Sequence, residues 1–234
     1  CSNRIWVKLK KYSLLTVQRG HGSMHRLLQQ LLRTTSDHDA VRSLATCIWS
    51  IKQLWSFDPA DASTWKEAGN VVDHIKCVGN QVRMVLEKNE KIEKNEKNSN
   101  NVNNDILLVE LQINTGTLLT ESALYMSMAL SRFREARDVL DLALQVQRSK
   151  TEIALLNGSN ILQKRLSRGL AHTMHTAGKV SRYCGEYDTA HAFLTDALAI
   201  RGGRQKPSMD VAATLHELGV LMIKRGVWSE AQVL

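Results

Sequence analysis

The sequence predicts an all-α protein, and three observations lead to that fold class. Proline, which interrupts helices, occurs only twice in 234 residues. Several long segments place apolar residues at helical spacing, whereas the alternation typical of strands is scarce. One pattern of glycine, alanine and aromatic residues also occurs twice toward the C-terminus, and a repeat of about 40 residues indicates stacked helical units.

The two copies of this pattern keep the same internal spacing. The residues concerned are Gly178, Gly185, Ala190 and Ala197 in the first copy and Gly219, Gly226 and Ala231 in the second. A glycine inside a helix costs roughly 1 kcal/mol relative to alanine, so we expect a second helix to approach closely at Gly178 and Gly219. Gly185 and Gly226 follow the periodic segments, where a left-handed cap ends a helix.

This pattern resembles the tetratricopeptide repeat, a helix–turn–helix unit with small residues where its two helices touch. The resemblance implies a helical-hairpin solenoid, with units at about 105–149, 168–201 and 209–234, the last one truncated. Residues 131–136 match the second half of a unit, but Leu124 stands where its first half has glycine. We therefore expect the first unit to be degenerate, and residues 150–168 to form a longer connection.

Residues 1–35 carry seven basic residues and no acid. Tyr12-Ser13-Leu14-Leu15 and Met24-His25-Arg26-Leu27-Leu28-Gln29 resemble the end of the winged-helix domain of NB-ARC and related signal-transduction ATPases. The resemblance implies a short β stretch, a turn at Gly20-His21-Gly22 and a helix from Ser23. It also implies that His25 contacts the phosphates of ADP, although Arg26 replaces the family's aspartate.

No glycine-rich phosphate loop occurs in the chain. We therefore expect a fragment that lacks the ATPase core and holds no cofactor, with ADP or ATP bound only in a longer protein. The basic segment could alternatively meet nucleic acid or an acidic membrane. We favour the explanation that its acidic neighbours lie outside this piece, and we expect neither nucleic acid nor membrane as a partner.

Between these ends the sequence predicts three further parts. Residues 36–86 contain two amphipathic helical segments, the first over 37–56, and we interpret them as a helical adaptor pair. Residues 87–104 are rich in Glu, Lys and Asn and nearly free of apolar side chains, which predicts a disordered insertion. The repeat array then follows over 105–234.

Catalytic and metal-binding patterns are weak. His172 and His175 are spaced i, i+3 on a predicted helix, but no third ligand lies at a suitable spacing. Cys184 is typical of an inert cysteine at a helix end. The sequence therefore predicts no enzyme, no catalytic residue and no metal. The four cysteines are scattered, without a C-x-x-C pair, which favours a reducing, cytoplasmic location.

A binding function is better supported, because the first helix of each tetratricopeptide unit lines a peptide groove in proteins of this kind. The resemblance places the following residues on that side: His172, His175, Thr176, Lys179, Arg182, Tyr183, His216, Glu217, Val220 and Lys224. We expect Lys179, Arg182 and Lys224 to pair with carboxylates of a peptide, Arg182 through two parallel hydrogen bonds. The expected partner is then a protein or a peptide. An acidic peptide is one candidate, and a second copy of this chain, bound by self-assembly, is another.

The function predicted from these patterns is non-catalytic protein–protein interaction, by the sensor or scaffold arm of a larger nucleotide-switched signalling protein. One alternative is a plain scaffold similar to kinesin light chain or nephrocystin, with a cargo groove and no switch. Another is binding of DNA by the basic winged-helix segment, with an affinity that falls steeply with salt.

Overall fold

The computed structural model describes residues 15–18, 21–24, 37–95, 102–148 and 160–227. The chain divides into two compact units, residues 1–43 and 44–234, with the division inside the first helix. The described residues are α-helical apart from one β-hairpin, as the sequence predicts. The elements are β1 (Leu15–Gln18), β2 (His21–Met24), α1 (Asp37–Leu54), α2 (Trp65–Asn95), α3 (Val102–Met128), α4 (Phe133–Arg148), α5 (Asn160–Tyr183), α6 (Tyr187–Ile200) and α7 (Met209–Lys224).

The N-terminal unit contains the antiparallel hairpin of β1 and β2. Leu15 lies opposite Met24, and Gln18 lies opposite His21. Strand β2 therefore includes Ser23, where the sequence predicts that a helix begins, and the reversal comes before His21. The β-branched residues Thr16 and Val17 favour extended backbone in the paired strand. His25 and the rest of the predicted winged-helix remnant lie outside the described residues.

Helix α1 ends at an aromatic turn. The rings of Trp55 and Phe57 both pack edge-on against Tyr125 of α3, with centroids 6.2 and 5.4 Å away. The carboxylate of Asp61 accepts a hydrogen bond from the Ser63 amide at 2.9 Å and begins the short 3-10 helix that leads into α2. The two helices of the predicted adaptor segment are thereby connected and attached to α3.

Helix α2 extends beyond the predicted start of the insertion. It continues to Asn95, and α3 begins at Val102, so only residues 96–101 between them lie outside the described part. The prediction of disorder from residue 87 is therefore wrong for residues 87–95. Glu87 and Lys91, like Glu90 and Lys94, have the i, i+4 spacing that supports a helix, and both residue types have high helix propensity.

The α3–α4 and α5–α6 pairs pack as antiparallel hairpins. In the α5–α6 hairpin, a Cβ added to Gly178 would lie 2.6 Å from Leu194 Cγ and 3.1 Å from the carbonyl oxygen of Ala190. Ala190 and Ala197 are fully buried in α6. The close approach predicted at Gly178 is therefore confirmed. Helix α5 begins at Asn160, earlier than the predicted unit start at 168.

The α3–α4 hairpin reaches the same proximity at a different place. A Cβ on Gly116 would lie 2.5 Å or less from three side-chain atoms of Gln147 in α4. Gln147 is 3% exposed, and neither polar atom of its amide has a hydrogen-bond partner among the described residues. Gly169 of α5 lies against the same amide, since its Cβ would be 3.3 Å from Nε2. A buried amide thus sits where three helices meet.

The first helices of successive hairpins lie side by side in the same direction. The hydroxyl oxygens of Thr120 in α3 and Thr173 in α5 are 2.8 Å apart and buried. One turn or more earlier, Val109 and Ile113 share an apolar cluster with Leu162 of α5. Contacts therefore advance together along α3 and α5, which makes the two helices parallel.

Two glycines end their helices as predicted. Gly185 (φ 81°) and Gly226 (φ 77°) are left-handed, and the amides that follow them bond to the carbonyls of Ser181 and Met222, at 2.9 and 3.0 Å. These are Schellman caps. At the corresponding place in the α3–α4 hairpin, Ser131 adopts φ 54° without being glycine.

The second copy of the repeat is described only in part. A Cβ on Gly219 would meet no heavy atom of the described residues within 4 Å, so no close helix approach is found there. Ala231 lies outside the described residues. Leu218 and Leu221 of α7 do pack against Ala190 and Leu194, which attaches α7 to the α5–α6 hairpin.

Candidate functional site

Four of the predicted groove residues are exposed on α5 and α7. They are His172, Tyr183, His216 and Lys224. His172 lies midway along α5 and Tyr183 at its end, and the other two lie on successive parts of α7. These side chains are exposed and therefore available to a ligand.

Other residues assigned to the groove instead join α5 to α7. Arg182 Nη2 lies 3.0 Å from Glu217 Oε2, and the two side chains are only 10% and 12% exposed. Lys179 Nζ lies 4.0 Å from the other oxygen of the same carboxylate. The prediction that Arg182 is open to a peptide carboxylate is therefore wrong, because Glu217 already pairs with it. Lys179 is 29% exposed and has Glu217 only at the limit of an ion pair, so its prediction stays untested. Helical spacing selects one side of α5, but that side meets α7.

His175 is part of the same inward-facing side of α5. Burial and, after it, the positive charge of Arg201 lower its pKa to about 4, against the opposing effect of Glu217. Its Nδ1 atom is buried and has no hydrogen-bond partner among the described residues. Thr176, one position on, is fully buried. His175 is consequently a neutral interior residue at pH 7 rather than a groove contact.

Tyr183 stacks on Phe133, the first residue of α4. The ring centroids are 5.1 Å apart with an interplanar angle of 24°, and the Arg182 guanidinium carbon lies 4.5 Å from the Tyr183 centroid. An open cleft of about 760 Å³ lies beside this stack. Two of its three arginines are paired with carboxylates, Arg132 with Glu135 at 3.4 Å and Arg137 with Glu186, whereas Arg134 is exposed.

A second pocket was not predicted from the sequence. It has a volume of about 400 Å³, lies between α3, α5 and the start of α7, and is lined by Arg165, Arg168, His172, Arg201 and Asp210 among others. The Arg201 guanidinium donates to the carbonyl oxygen of Asp210 at 2.7 Å and to the Thr214 hydroxyl. We call this the arginine pocket. The i, i+3 spacing of Arg165 and Arg168 was its one sequence signal, since Arg201 follows α6 and has no repeat counterpart.

Metal and membrane chemistry gain no support from the described residues. Within them, no three His, Cys, Asp or Glu side chains are grouped closely enough to bind a metal ion. None of the helices in the described ranges has both the length and the apolar character needed to cross a bilayer. His172 and His175, the predicted i, i+3 pair, are separated in role, because His172 lines the arginine pocket and His175 faces α7.

The chain was also compared with known proteins. No protein-family model, no curated protein sequence and no solved structure gives a significant match to it. Arguments about function therefore rest on the geometry of the two exposed regions described above.

Proposed function

We propose that this chain is a non-catalytic protein–protein interaction module of the tetratricopeptide type. The observation that carries the proposal is the α5–α6–α7 segment. Gly178 admits Leu194 at close range, Gly185 and Gly226 form the same left-handed cap, and α7 packs on α6. A helical pair that buries its apolar side only by stacking on a neighbour is the physical unit of such arrays.

The ligand would bind along the exposed side of α5 and α7. Tyr183 offers a flat, half-exposed ring, and His216 and Lys224 add a hydrogen-bonding group and a positive charge on the next helix. Aromatic residues supply much of the affinity at protein interfaces. Because Arg182 is held by Glu217, a peptide would be recognised mainly through Tyr183, His216 and Lys224 instead.

Peptide phage display on the purified chain tests this function. We expect enriched peptides to lose about tenfold or more in affinity when Tyr183→Ala and Lys224→Glu are combined, since a central aromatic contact and a charge are removed. Lys76→Glu, an exposed lysine on α2, is the matched charge control and should leave affinity unchanged. Failure to enrich any peptide, or equal loss in the control, would contradict the proposal.

We further propose that this module serves as the sensor or scaffold arm of a cytoplasmic, nucleotide-switched signalling protein. The support is the N-terminal segment, whose sequence resembles the end of the winged helix and whose residues 15–24 contain a β-hairpin. The plain cargo scaffold is the alternative. Sequencing of the complete transcript discriminates: a G-x-x-x-x-G-K-[ST] loop upstream of Cys1 supports the switch, and its absence there leaves the scaffold.

A further inference from the structure

The arginine pocket and the cleft beside Tyr183 differ in how many of their arginines are paired with carboxylates. In that cleft Arg132 and Arg137 each have a carboxylate within salt-bridge distance, and only Arg134 among its arginines has none within the described ranges. In the arginine pocket, Arg168 has no ion-pair or hydrogen-bond partner among the described residues, and Arg165 has only Glu110 at the 4.0 Å limit. The pocket therefore holds guanidinium groups whose donors are not saturated by the protein.

Arg201 lines this pocket, and hydrogen bonds hold its side chain in place. It is half-buried, and its hydrogen bonds to the Asp210 carbonyl and the Thr214 hydroxyl hold one edge of the guanidinium. No carboxylate oxygen of the described residues lies within 4.0 Å of it. Burial lowers the pKa of Arg201, against the opposing effect of the nearby Asp210 carboxylate.

The remaining two arginines converge on the same space. Arg165 and Arg168 are three positions apart on α5, so they lie on one face of the helix, and His172 is one turn further along that face. The N-terminal turn of α7, capped by the Ser208 hydroxyl, adjoins the pocket and adds the positive end of a helix dipole. Three arginines, two from α5 and one from the residue that follows α6, thus line one pocket.

We propose that the arginine pocket binds a phosphate group through Arg165, Arg168 and Arg201. Three arginines and Asp210 line the pocket, which leaves a charge of +2 with His172 counted as neutral; Glu110 and Lys164 at its rim cancel each other. A phosphate monoester carries about −1.5 to −2 at pH 7 and three acceptor oxygens. A carboxylate has two oxygens and one charge, and a single arginine satisfies it.

Two sources can supply this phosphate, and the experiment separates them. The first is a phosphorylated serine or threonine of a peptide lying along α5 and α7, which rests on the proposed binding function. The second is a small phosphate-bearing molecule, which does not. Inorganic phosphate therefore serves as one probe, and the other is a degenerate peptide library with one fixed phosphoserine, paired with the same library carrying serine.

The binding of inorganic phosphate is followed by the amide NMR shifts of Arg168, Gly169 and His172, and retention of the libraries is measured on the immobilised chain. We expect the double variant Arg165→Gln/Arg168→Gln to weaken phosphate binding about tenfold or more, since charge-assisted hydrogen bonds are lost. Both positions are exposed, so the fold should be retained, which a thermal melt verifies. The matched control is Arg134→Gln, an exposed arginine of α4 outside the pocket, with no expected change.

The outcomes separate the two hypotheses. Phosphate binding with selective retention of the phosphoserine library assigns the pocket to a phosphorylated peptide, and phosphate binding without it assigns a small molecule. If phosphate produces no saturable shifts, or the double variant binds it as tightly as the parent chain, the pocket proposal is overturned. Should the serine library then still bind and depend on Tyr183 and Lys224, the interaction function survives that failure.

Discussion

The α5–α6 and α3–α4 hairpins solve the same packing problem with different residues. The first uses glycine at both repeat positions, Gly178 for close approach and Gly185 for the cap. The second has Leu124 and Ser131 at the corresponding positions, and it obtains its close approach two turns earlier, at Gly116. The turn geometry is nevertheless kept, because Ser131 adopts the left-handed conformation. The shape of a unit is therefore retained even where its characteristic residues are replaced.

The difference between the two hairpins is tested most directly by filling the space at Gly178. We expect Gly178→Val to destabilise the chain by about 3 kcal/mol or more, because the Cβ alone would lie 2.6 Å from Leu194 Cγ and the backbone of Ala190 cannot retreat. The measurement is the free energy of unfolding in urea.

Gly219→Ala is the matched control for that variant. With no described heavy atom within 4 Å of its Cβ, the substitution should stabilise α7 by up to about 1 kcal/mol through helix propensity. A clear loss of stability would mean instead that residues beyond 227 pack on Gly219, as the repeat pattern predicts.

The next largest effect tests whether α7 is joined to the α5–α6 hairpin through its ion pair. Glu217→Ala leaves the mostly buried Arg182 without its carboxylate, and we expect a loss of about 2–4 kcal/mol. A double-mutant cycle with Arg182→Ala should recover part of this loss. Additive losses would show that the two side chains act independently, and would remove the ion pair from the description of the interface.

A titratable residue occupies the same register in both hairpins, His175 in α5 and Glu121 in α3. Burial lowers the pKa of His175 to about 4, whereas burial raises the pKa of Glu121 against the effects of Trp55 and Lys52. The folded state thus favours neutral His175, whose contribution to stability is present above the unfolded pKa of about 6.5 and is lost as pH falls toward 4.

We expect the His175 contribution to cost about 1–2 kcal/mol of stability between pH 7 and pH 5. His175→Gln should flatten this limb of the pH profile, measured as unfolding free energy at constant ionic strength. Glu121→Gln is the counterpart. Because the pKa of Glu121 is raised in the folded state, its protonation stabilises the fold as the pH falls. Glu121→Gln removes this gain and should therefore make the loss of stability between pH 7 and pH 5 steeper. A profile that is unchanged in His175→Gln would contradict the assignment.

The smallest expected effect concerns the two caps. Ser131→Gly should stabilise the α3–α4 hairpin by about 0.5–1 kcal/mol. Glycine removes the cost of about 1–2 kcal/mol that an L-residue has in a left-handed backbone, and its greater flexibility in the unfolded chain offsets part of this gain. Gly185→Ala should have the opposite sign and a similar size. Equal melting temperatures for both variants and the parent chain would show that neither cap is strained.

Sequence reasoning predicted the helical class, the close approach at Gly178 and the left-handed caps, because each follows from local spacing and backbone sterics. It did not predict which side of α5 packs against α7, so Arg182 was assigned to a ligand rather than to Glu217. It also missed Gly116, Gln147 and the arginine pocket, whose residues come from separate helices and have no periodic counterpart. The tetratricopeptide and signalling assignments remain predictions.

The Gln147 amide between Gly116 and Gly169 has a consequence for how this chain can diverge. Each glycine makes room for the same side chain, so a mutation at any of the three positions changes what the other two tolerate. We expect descendants of this sequence to exchange these residues together: a lineage that acquires a smaller residue at 147 becomes free to carry alanine at 116 and 169. We therefore expect the three positions, although they lie on three helices, to vary together.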